Sequence, residues 1–189
     1  IPFKSLNGSC FKRCLSSQLS SIQWSADGMH GLTQDQIELR NSVRNFAEKE
    51  LPQDLVQKID AESKWDDFRN FWKKLGQMGF LGVTASSKFG GLELGYFEHS
   101  IVMEELSRCC AAIGLSYGAH SNLCVNQITR NCNEEQKERF LPKLIDGNYV
   151  GGLAMSEVSS GSDVMSMRTK AEKKGDYYVL NGGKFWITN

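Results

Sequence analysis

Several features that would place this chain in a large functional class are scarce or missing from its 189 residues. No run of about 18 apolar residues occurs, so the sequence predicts no membrane-spanning helix. Basic and acidic side chains balance at 22 each, and without an excess of positive charge the chain is not expected to bind nucleic acid. Only 3 prolines interrupt the chain and 40% of its residues are hydrophobic, which predicts a folded protein rather than a disordered one.

Cysteine and histidine are placed in a way that disfavours both disulfides and metal binding. The 6 cysteines include no C-x-x-C pair, and the adjacent Cys109 and Cys110 cannot easily satisfy disulfide geometry with each other. None of the 3 histidines has a cysteine or a second histidine at ligand spacing. We therefore expect reduced thiols that mostly fill the core, and no metal site.

Residues 1–30 differ in composition from the rest of the chain. They are rich in serine and carry Lys4, Lys12 and Arg13 against a single acid, Asp27. A basic, acid-poor segment of this kind predicts a mitochondrial presequence, with an ordinary disordered tail as the alternative. Because the chain starts without methionine and stops inside a strand-like pattern, we also expect a fragment of a longer protein.

Helical signals dominate residues 31–147. Thr33 and Gln36 have capping-box spacing and predict the start of a helix, which Pro52 should bend or break. The apolar stripe of that helix consists of Leu39, Val43, Phe46, Ala47 and Leu51. The same periodicity predicts a second helix over 66–78 and a third from about 96 to 110.

Two further helical segments are predicted before the periodicity changes. Residues 111–130 are apolar on most faces, which is typical of a helix buried in the middle of a bundle. Residues 133–136 supply another cap. In the helix that follows, Phe140 should face inward, Pro142 should bend or interrupt the helix, and Gly147 should terminate it.

After residue 147 the pattern becomes that of strands. Residues 149–155 are short and apolar, and the segments 177–180 and 184–188 flank an Asn-Gly-Gly turn, which predicts a hairpin. A second turn at 175–176 predicts that this hairpin belongs to a meander. The sequence therefore predicts an α+β fold, with an all-helical domain at 31–147 and the start of an antiparallel β domain at 148–189.

The loop at 155–163 is the segment best suited to bind a ligand. It contains small residues, several hydroxyls and many backbone amides, so it could approach a phosphate or a flat heterocycle closely. Serine- and glycine-rich turns are usually plain loops, and composition alone leaves both interpretations open. The sequence has no G-x-G-x-x-G and no G-x-x-x-x-G-K-[ST] motif, which excludes a Rossmann or P-loop assignment.

Two separated segments taken together resemble the flavin-binding signatures of the acyl-CoA dehydrogenases. The first is Leu153-Ala154-Met155-Ser156-Glu157 followed by Gly161-Ser162-Asp163, and the second is Phe185-Trp186-Ile187-Thr188-Asn189. Residues 71–76 and 114–124 resemble in particular the members of that family that act on isovaleryl-CoA. The resemblance covers residues 31–189, essentially everything beyond the predicted presequence.

One stretch departs from the family pattern. Val158, Ser159 and Ser160 stand where the family usually has a proline and then Asn-Ala or Gly-Ala. Losing the fixed φ of proline predicts a less rigid loop.

The resemblance implies that FAD lies against the β domain and contacts both signature segments. Met155 and Ser156 would bond the pyrimidine edge of the flavin, and Trp186 and Thr188 would lie against its ring and beside N5. Gly161 and Ser162 would contact the pyrophosphate. The whole implied cofactor set is Leu153, Ala154, Met155, Ser156, Glu157, Gly161, Ser162, Trp186, Ile187 and Thr188.

The resemblance also implies a substrate site. Leu115 and Ala119 lie one helical turn apart and would shape the acyl pocket, although plain core packing is an equal alternative. Ser162 would lie near the CoA moiety. His120 is expected to be a structural hydrogen-bonding residue rather than a base.

The activity implied is α,β-desaturation of a short branched acyl-CoA in leucine catabolism, in the mitochondrial matrix. Electrons would pass from FAD to electron transfer flavoprotein, and the protein would be a homotetramer. The catalytic carboxylate would belong to a C-terminal helical bundle that this chain lacks, so no catalytic residue is named. Alternatives are an acyl-CoA oxidase or flavin monooxygenase relative, and a non-catalytic helical interaction module.

Overall fold

The computed structural model describes residues 31–189, of which residues 38–189 form one compact unit. The predicted presequence lies outside the described residues. The α-helices, in chain order, are α1 (Gln34–Glu50), α2 (Gln53–Glu62), α3 (Phe68–Gln77), α4 (Tyr96–Cys109), α5 (Ala111–His120), α6 (Asn126–Asn131) and α7 (Glu134–Ile145). Two antiparallel strands follow, β1 (Lys170–Lys174) and β2 (Tyr177–Asn181), so the predicted α+β class is confirmed.

A core of aliphatic and aromatic side chains joins the helices. The predicted stripe of α1 is confirmed, because Val43, Ala47 and Leu51 are buried while Leu39 and Phe46 pack against them from the side. The rest of this buried core consists of Phe71, Trp72, Leu75, Phe80, Leu81, Val83, Val102, Leu106, Ile113 and Tyr117. None of the helices within residues 31–189 has the length and apolarity that a bilayer crossing requires.

Helix termini follow the capping signals of the sequence. The Gln36 N–H donates to Thr33 Oγ1 at 3.3 Å, and the Thr33 N–H donates to Gln36 Oε1 at 2.9 Å. The same reciprocal pair forms between Asn133 and Gln136 at the start of α7. Both capping boxes are therefore confirmed, since each satisfies amides that a helix start leaves unpaired.

A partly buried ion-pair network that the sequence did not predict connects α1 to α4 through the buried carboxylate of Glu105. Arg44 donates two hydrogen bonds to the Glu105 carboxylate, at 3.0 and 2.8 Å, and Arg108 donates a third at 2.7 Å. Burial by itself would raise the pKa of Glu105, but the hydrogen bonds from the two guanidinium groups outweigh it and lower that pKa. A carboxylate is thereby tolerated inside the helical core.

Two expectations for α7 need correction, since Pro142 does not interrupt the helix and Phe140 does not face inward. The helix continues through Pro142 to Ile145, because the proline lies in the last turn and on the exposed face, where the carbonyl it leaves unpaired can bond water. Phe140 is 36% exposed rather than inward, with the Arg139 guanidinium over its ring. The predicted terminator is confirmed, since Gly147 has a φ of 79° that other residues rarely adopt.

The predicted helical segment at 111–130 is helical throughout, but its type changes along its length. A π-helical segment at Ser121–Val125 separates α5 from α6. Ile113, Tyr117 and Val125 are buried, whereas Leu115 lies on the other face of α5 and is 59% exposed. The expectation of a helix buried in the middle of a bundle therefore holds for one face of α5 only.

The strand assignments required the largest correction. The observed hairpin pairs β1 with β2 around the Gly175-Asp176 turn. The turn predicted at 175–176 is therefore confirmed, whereas the Asn-Gly-Gly segment does not join two strands. Residues 149–155 and 184–188, both expected to be strands, have no regular secondary structure. The chain between 183 and 189 is instead held by side-chain bonds, and Trp186 adopts a φ of 57° that no strand allows.

His120 connects the end of α5 to the end of α7 and to the chain that leaves the helices. Its Nε2–H donates to the Leu144 carbonyl at 3.2 Å, and its Nδ1 accepts the Gly151 N–H at 2.9 Å. A Cβ at residue 151 would collide with the Cys124 side chain, so only glycine brings the backbone this close. Burial lowers the pKa of His120 to about 4, against the opposing effect of the Leu144 bond.

This arrangement predicts a pH-dependent stability with a defined sign. Because the folded pKa of His120 is about 4 against 6.5 for the free side chain, the unfolded chain binds a proton more readily between those pH values. The free energy of unfolding should therefore fall by about 3 kcal/mol as the pH drops from 6.5 to about 4. Urea unfolding across this pH range measures the change.

The matched variant is His120→Gln, which keeps a donor and an acceptor but does not titrate. Its unfolding free energy should be lower than that of the parent at neutral pH and less dependent on pH. Burial also lowers the pKa of His99, so part of the dependence should persist. Equal pH slopes in parent and variant would contradict this account of His120.

Candidate functional site

The two signature segments and α5 meet at one small pocket, which we call the loop pocket. It has a volume of about 190 Å³. Its lining residues are Ala119, Leu123, Leu153, Met155, Ser156, Trp186, Ile187 and Thr188. Six of these were predicted from the resemblance as cofactor residues and Ala119 as an acyl-pocket residue, so the structure brings together groups from three separate parts of the chain.

Backbone and side-chain hydrogen bonds hold the two segments against each other. The Phe185 N–H donates to the Ser156 carbonyl at 2.9 Å, and Lys184 Nζ donates to the Met155 carbonyl at 2.9 Å. Asn189 Nδ2 then donates to the carbonyls of Ser116 and Gly151, at 2.9 and 3.0 Å. The side-chain amide of Asn189 thereby links the second signature segment to α5 and to the irregular chain that follows α7.

Glu157 connects these segments and does not line the loop pocket. Its carboxylate accepts the N–H groups of Arg168 at 2.7 Å and Thr169 at 2.9 Å, and Lys184 Nζ donates to it at 2.9 Å. Hydrogen bonds from Thr169, from the Arg168 N–H and from Lys184 lower the pKa of Glu157 to about 2. The ionised carboxylate is thus committed to holding the loops together.

The predicted pyrophosphate residues lie away from the loop pocket. Glu157 and Ser160 exchange backbone hydrogen bonds at 2.8 and 3.1 Å and close a tight turn without proline. Ser160 is buried and donates its hydroxyl to the Asp163 carbonyl at 2.6 Å. Gly161 and Ser162 follow this turn on the exposed surface, and neither they nor Ala154 line the pocket.

The pocket wall carries polar groups that bond nothing in the described chain. Within residues 31–189, no hydrogen bond is made by the N–H groups of Met155 and Ser156 or by the hydroxyls of Ser156 and Thr188. Apolar surface from Leu123, Leu153 and Ile187 surrounds these donors. Such a wall suits a flat ligand whose rim presents hydrogen-bond acceptors.

Trp186 lies at the mouth of the pocket. Its side chain is 88% exposed and its only described ring contact is an edge-to-face one with Phe185, at 5.6 Å between centroids. The sequence offers two alternatives for Trp186, a core aromatic on a hairpin or a residue that packs against a ring system. In the described chain Trp186 is neither buried nor on a hairpin.

A second, larger cavity adjoins the loop pocket between α4 and α5, and we call it the helix cavity. Its volume is about 520 Å³. It is lined by His99, Ser100, Met103, Glu104, Leu115, Gly118, Ala119, Asn122, Leu123 and Thr188. Leu115 and Ala119 both line this cavity. Ala119, Leu123 and Thr188 belong to both spaces.

Sequence reasoning missed the α4 side of the helix cavity. His99, Met103 and Glu104 were not predicted, because they belong to a helix that no signature covers. Leu123 could have been found, since it continues the spacing of four residues from Leu115 and Ala119 along one helix face. No group of three or more His, Cys, Asp or Glu side chains within residues 31–189 is arranged to hold a metal ion.

The role of Glu157 can be tested by hydrogen exchange. Glu157→Ala removes the acceptor of the Arg168 and Thr169 N–H groups and the partner of Lys184. Amide exchange in peptides that cover 153–169 and 183–189 should become at least about ten-fold faster, because local opening costs less free energy. Mass spectrometry of deuterated protein measures the rates.

Glu172→Ala is the matched control for this experiment. Glu172 lies on the exposed strand β1 and makes none of the bonds that hold the loops. Exchange in both peptides should stay as in the parent protein. If the two variants behave alike, the carboxylate of Glu157 does not hold the segments together.

The sequence of this chain is similar to a known protein family and to two curated proteins. Residues 33–148 match the family model for the acyl-CoA dehydrogenase N-terminal domain. The mitochondrial isovaleryl-CoA dehydrogenase of Pongo abelii is 56% identical over 163 residues, which are 86% of this chain and 38% of that protein. The mitochondrial isovaleryl-CoA dehydrogenase of Bos taurus is 53% identical over 189 residues, or 100% of this chain and 43% of that protein.

Solved structures agree with the sequence relationship. An acyl-CoA dehydrogenase from Bacillus anthracis, complexed with FAD, superposes with a TM-score of 0.79 at 28% identity, over 85% of this chain and 28% of that one. The chain spans about two fifths of the length of the two curated relatives. Because the family model matches well over half of the chain and the fold superposes on that of a solved member, the chain belongs to the acyl-CoA dehydrogenase family.

Proposed function

We propose that this chain is part of an FAD-dependent acyl-CoA dehydrogenase that converts isovaleryl-CoA to 3-methylcrotonyl-CoA in leucine catabolism. The observation that carries the proposal is the convergence of both signature segments with Ala119 at the loop pocket. The two curated relatives, more than half identical to this chain where they align, are named isovaleryl-CoA dehydrogenase and support the choice of substrate.

The loop pocket fits the rim of a flavin. Its unpaired donors, the Met155 and Ser156 N–H groups and the Ser156 hydroxyl, match the carbonyl and ring-nitrogen acceptors of the pyrimidine edge. Bound FAD supplies the acceptor for a hydride from the substrate β-carbon. Donors held at the pyrimidine edge stabilise the negative charge that follows, and Thr188 is assigned to the N5 side.

Trp186 and the exposed turn complete the proposed cofactor site. A tryptophan held at positive φ with 88% of its surface exposed has no packing role in the described chain and offers a flat face to a ring system. We assign Gly161 and Ser162 to the pyrophosphate, since that turn presents backbone amides and no bulky side chain. Ser162 is also assigned to the CoA moiety.

The acyl group is assigned to the helix cavity. Leu115 and Ala119 form part of one wall, and the small side chain of Ala119 leaves width for a branched chain next to Thr188. Excluding water from the apolar side of this cavity, next to Ala119, strengthens the polarisation of a thioester. The 59% exposure of Leu115 in the described chain supports this assignment over the alternative of plain core packing.

The base is assigned to a part of the protein beyond residue 189. Desaturation needs a carboxylate that takes the α-proton while the β-hydrogen leaves with its electron pair. Glu157 is engaged by Lys184 and by two backbone amides, so it is unavailable. We place the base in a C-terminal helical domain, with residues 31–147 and 148–189 as the preceding helical domain and partial β domain.

Partners and location follow from the same assignment. The two electrons would leave the reduced cofactor for electron transfer flavoprotein. We propose a homotetramer in the mitochondrial matrix, with residues 1–30 as the presequence. The mitochondrial names of the two curated relatives support the compartment.

Ser156→Ala should weaken FAD binding about ten-fold, because it removes one hydrogen bond to the flavin while leaving the backbone amide in place. Fluorescence titration of the apoprotein with FAD gives the dissociation constant. Ser159→Ala is the matched control, since Ser159 is exposed three residues away and does not line the pocket. Equal weakening by both substitutions would argue against Ser156 as a flavin ligand.

The activity itself is tested on the full-length protein. Without oxygen, isovaleryl-CoA should bleach the oxidised flavin band at about 450 nm, since the substrate delivers a hydride to the cofactor. Electron transfer flavoprotein should then restore the band. A flavin band that isovaleryl-CoA leaves unchanged would refute the proposed substrate, and failure to retain FAD would refute the proposed cofactor.

A further inference from the structure

The helix cavity has one polar wall that the proposed function does not use. His99 lies on the α4 side and is only 7% exposed, among Met103, Leu115 and Gly118. The residues that the helix cavity shares with the loop pocket, Ala119, Leu123 and Thr188, do not include any from α4. An acyl chain whose reacting carbons lie beside Thr188 therefore reaches the His99 side last.

The hydrogen bonds around His99 determine which ring nitrogen carries the proton. His99 Nε2 lies 2.5 Å from Ser121 Oγ, and the same Ser121 hydroxyl donates to the Tyr117 carbonyl at 3.0 Å. A carbonyl can only accept, and a hydroxyl has one proton to give. With that proton directed at the Tyr117 carbonyl, the Ser121 oxygen accepts from His99, and on this network we assign the ring proton to Nε2, which leaves a lone pair on Nδ1.

Packing keeps the imidazole neutral and fixed in place. The ring stacks on Tyr117 with 5.2 Å between centroids and a 16° interplanar angle. Burial also lowers the pKa of His99, so the neutral ring is the form present at neutral pH. Nδ1 is thus a stationary hydrogen-bond acceptor.

No group of the described chain satisfies this acceptor. Within residues 31–189, His99 makes a hydrogen bond only through Nε2. Its neighbour Ser100 donates its hydroxyl to the Tyr96 carbonyl at 2.9 Å, and Glu104 makes no hydrogen bond to His99. Because His99 lines the helix cavity, a ligand or water there is the remaining source of a donor.

We propose that Nδ1 of His99 determines the chain length and the terminal group that the helix cavity accepts. This rests on the proposed function, in which the cavity holds the acyl group. A short branched chain leaves the acceptor hydrated, whereas an apolar chain that reaches the α4 side displaces that water and leaves the lone pair unpaired. A chain that ends in a hydroxyl satisfies it and is preferred.

The test compares straight-chain acyl-CoA thioesters, from butanoyl-CoA to octanoyl-CoA, with their terminally hydroxylated analogues. Dissociation constants come from calorimetry, and kcat/KM comes from anaerobic flavin reduction in the full-length protein. At the lengths that reach His99, the parent should favour the hydroxylated member of each pair at least about ten-fold. His99→Phe keeps an aromatic ring against Tyr117, removes the lone pair and should abolish the preference.

Two further variants separate the hydrogen bond from a general structural effect. His99→Gln offers a side-chain N–H to Ser121 and a carbonyl oxygen to the cavity, so it should restore the preference that His99→Phe loses. Glu172→Ala changes an exposed strand residue that does not line the helix cavity, and it should behave as the parent. Because the preference is measured within each pair of thioesters, a general change in acyl-CoA affinity does not alter it.

Each outcome decides the proposal. A parent that does not distinguish the paired thioesters, or a preference that survives in His99→Phe, overturns the role of His99. Loss of the preference in His99→Gln as well would show a merely structural histidine and would also overturn it. If isovaleryl-CoA fails to reduce the flavin, the proposed function fails separately, while the calorimetric preference still tests His99.

Discussion

The two hydrogen bonds of His120 are the constraint on which the site geometry depends. The imidazole donates to the last turn of α7 and accepts from Gly151, where the chain leaves the helices. Because the ring is buried against Trp72, it must stay neutral to make both bonds. The position of Gly151 in turn sets where Leu153, Met155 and Ser156 lie relative to α5. A structural histidine in the core thereby positions residues assigned to a cofactor.

Beyond Gly151, side chains rather than a sheet hold the candidate site. Lys184 links the carboxylate of Glu157 to the Met155 carbonyl, and Asn189 links the second signature segment to α5. These contacts leave backbone amides near Met155 and Ser156 unpaired, which a regular strand would not. The irregular backbone therefore provides the donors that the proposed cofactor requires.

The helix cavity combines the two kinds of wall that give selectivity. Its α5 side is apolar and made wide by Ala119, while its α4 side contains His99, which is held by Ser121. An apolar wall discriminates weakly between chains that differ by one methylene, whereas an acceptor that a ligand leaves unpaired penalises the wrong group more strongly. The π-helical turn at Ser121–Val125 contributes to both sides, because it places Ser121 against His99 and Leu123 in the cavity.

Local sequence signals determined the helices, because capping and apolar periodicity act over a few residues. The boxes at Thr33 and Asn133, the stripe of α1 and the stop at Gly147 were all predictable, and so were the paired signature segments. The features that only the tertiary structure decided depend on contacts between residues far apart in the sequence. Residues 184–188 have the composition of a strand, yet the bonds of Lys184 and Asn189 to residues up to 73 positions away hold them irregular. Likewise, the burial of His99 and the exposure of Leu115 follow from the packing of α4 against α5, which no periodicity within either helix specifies.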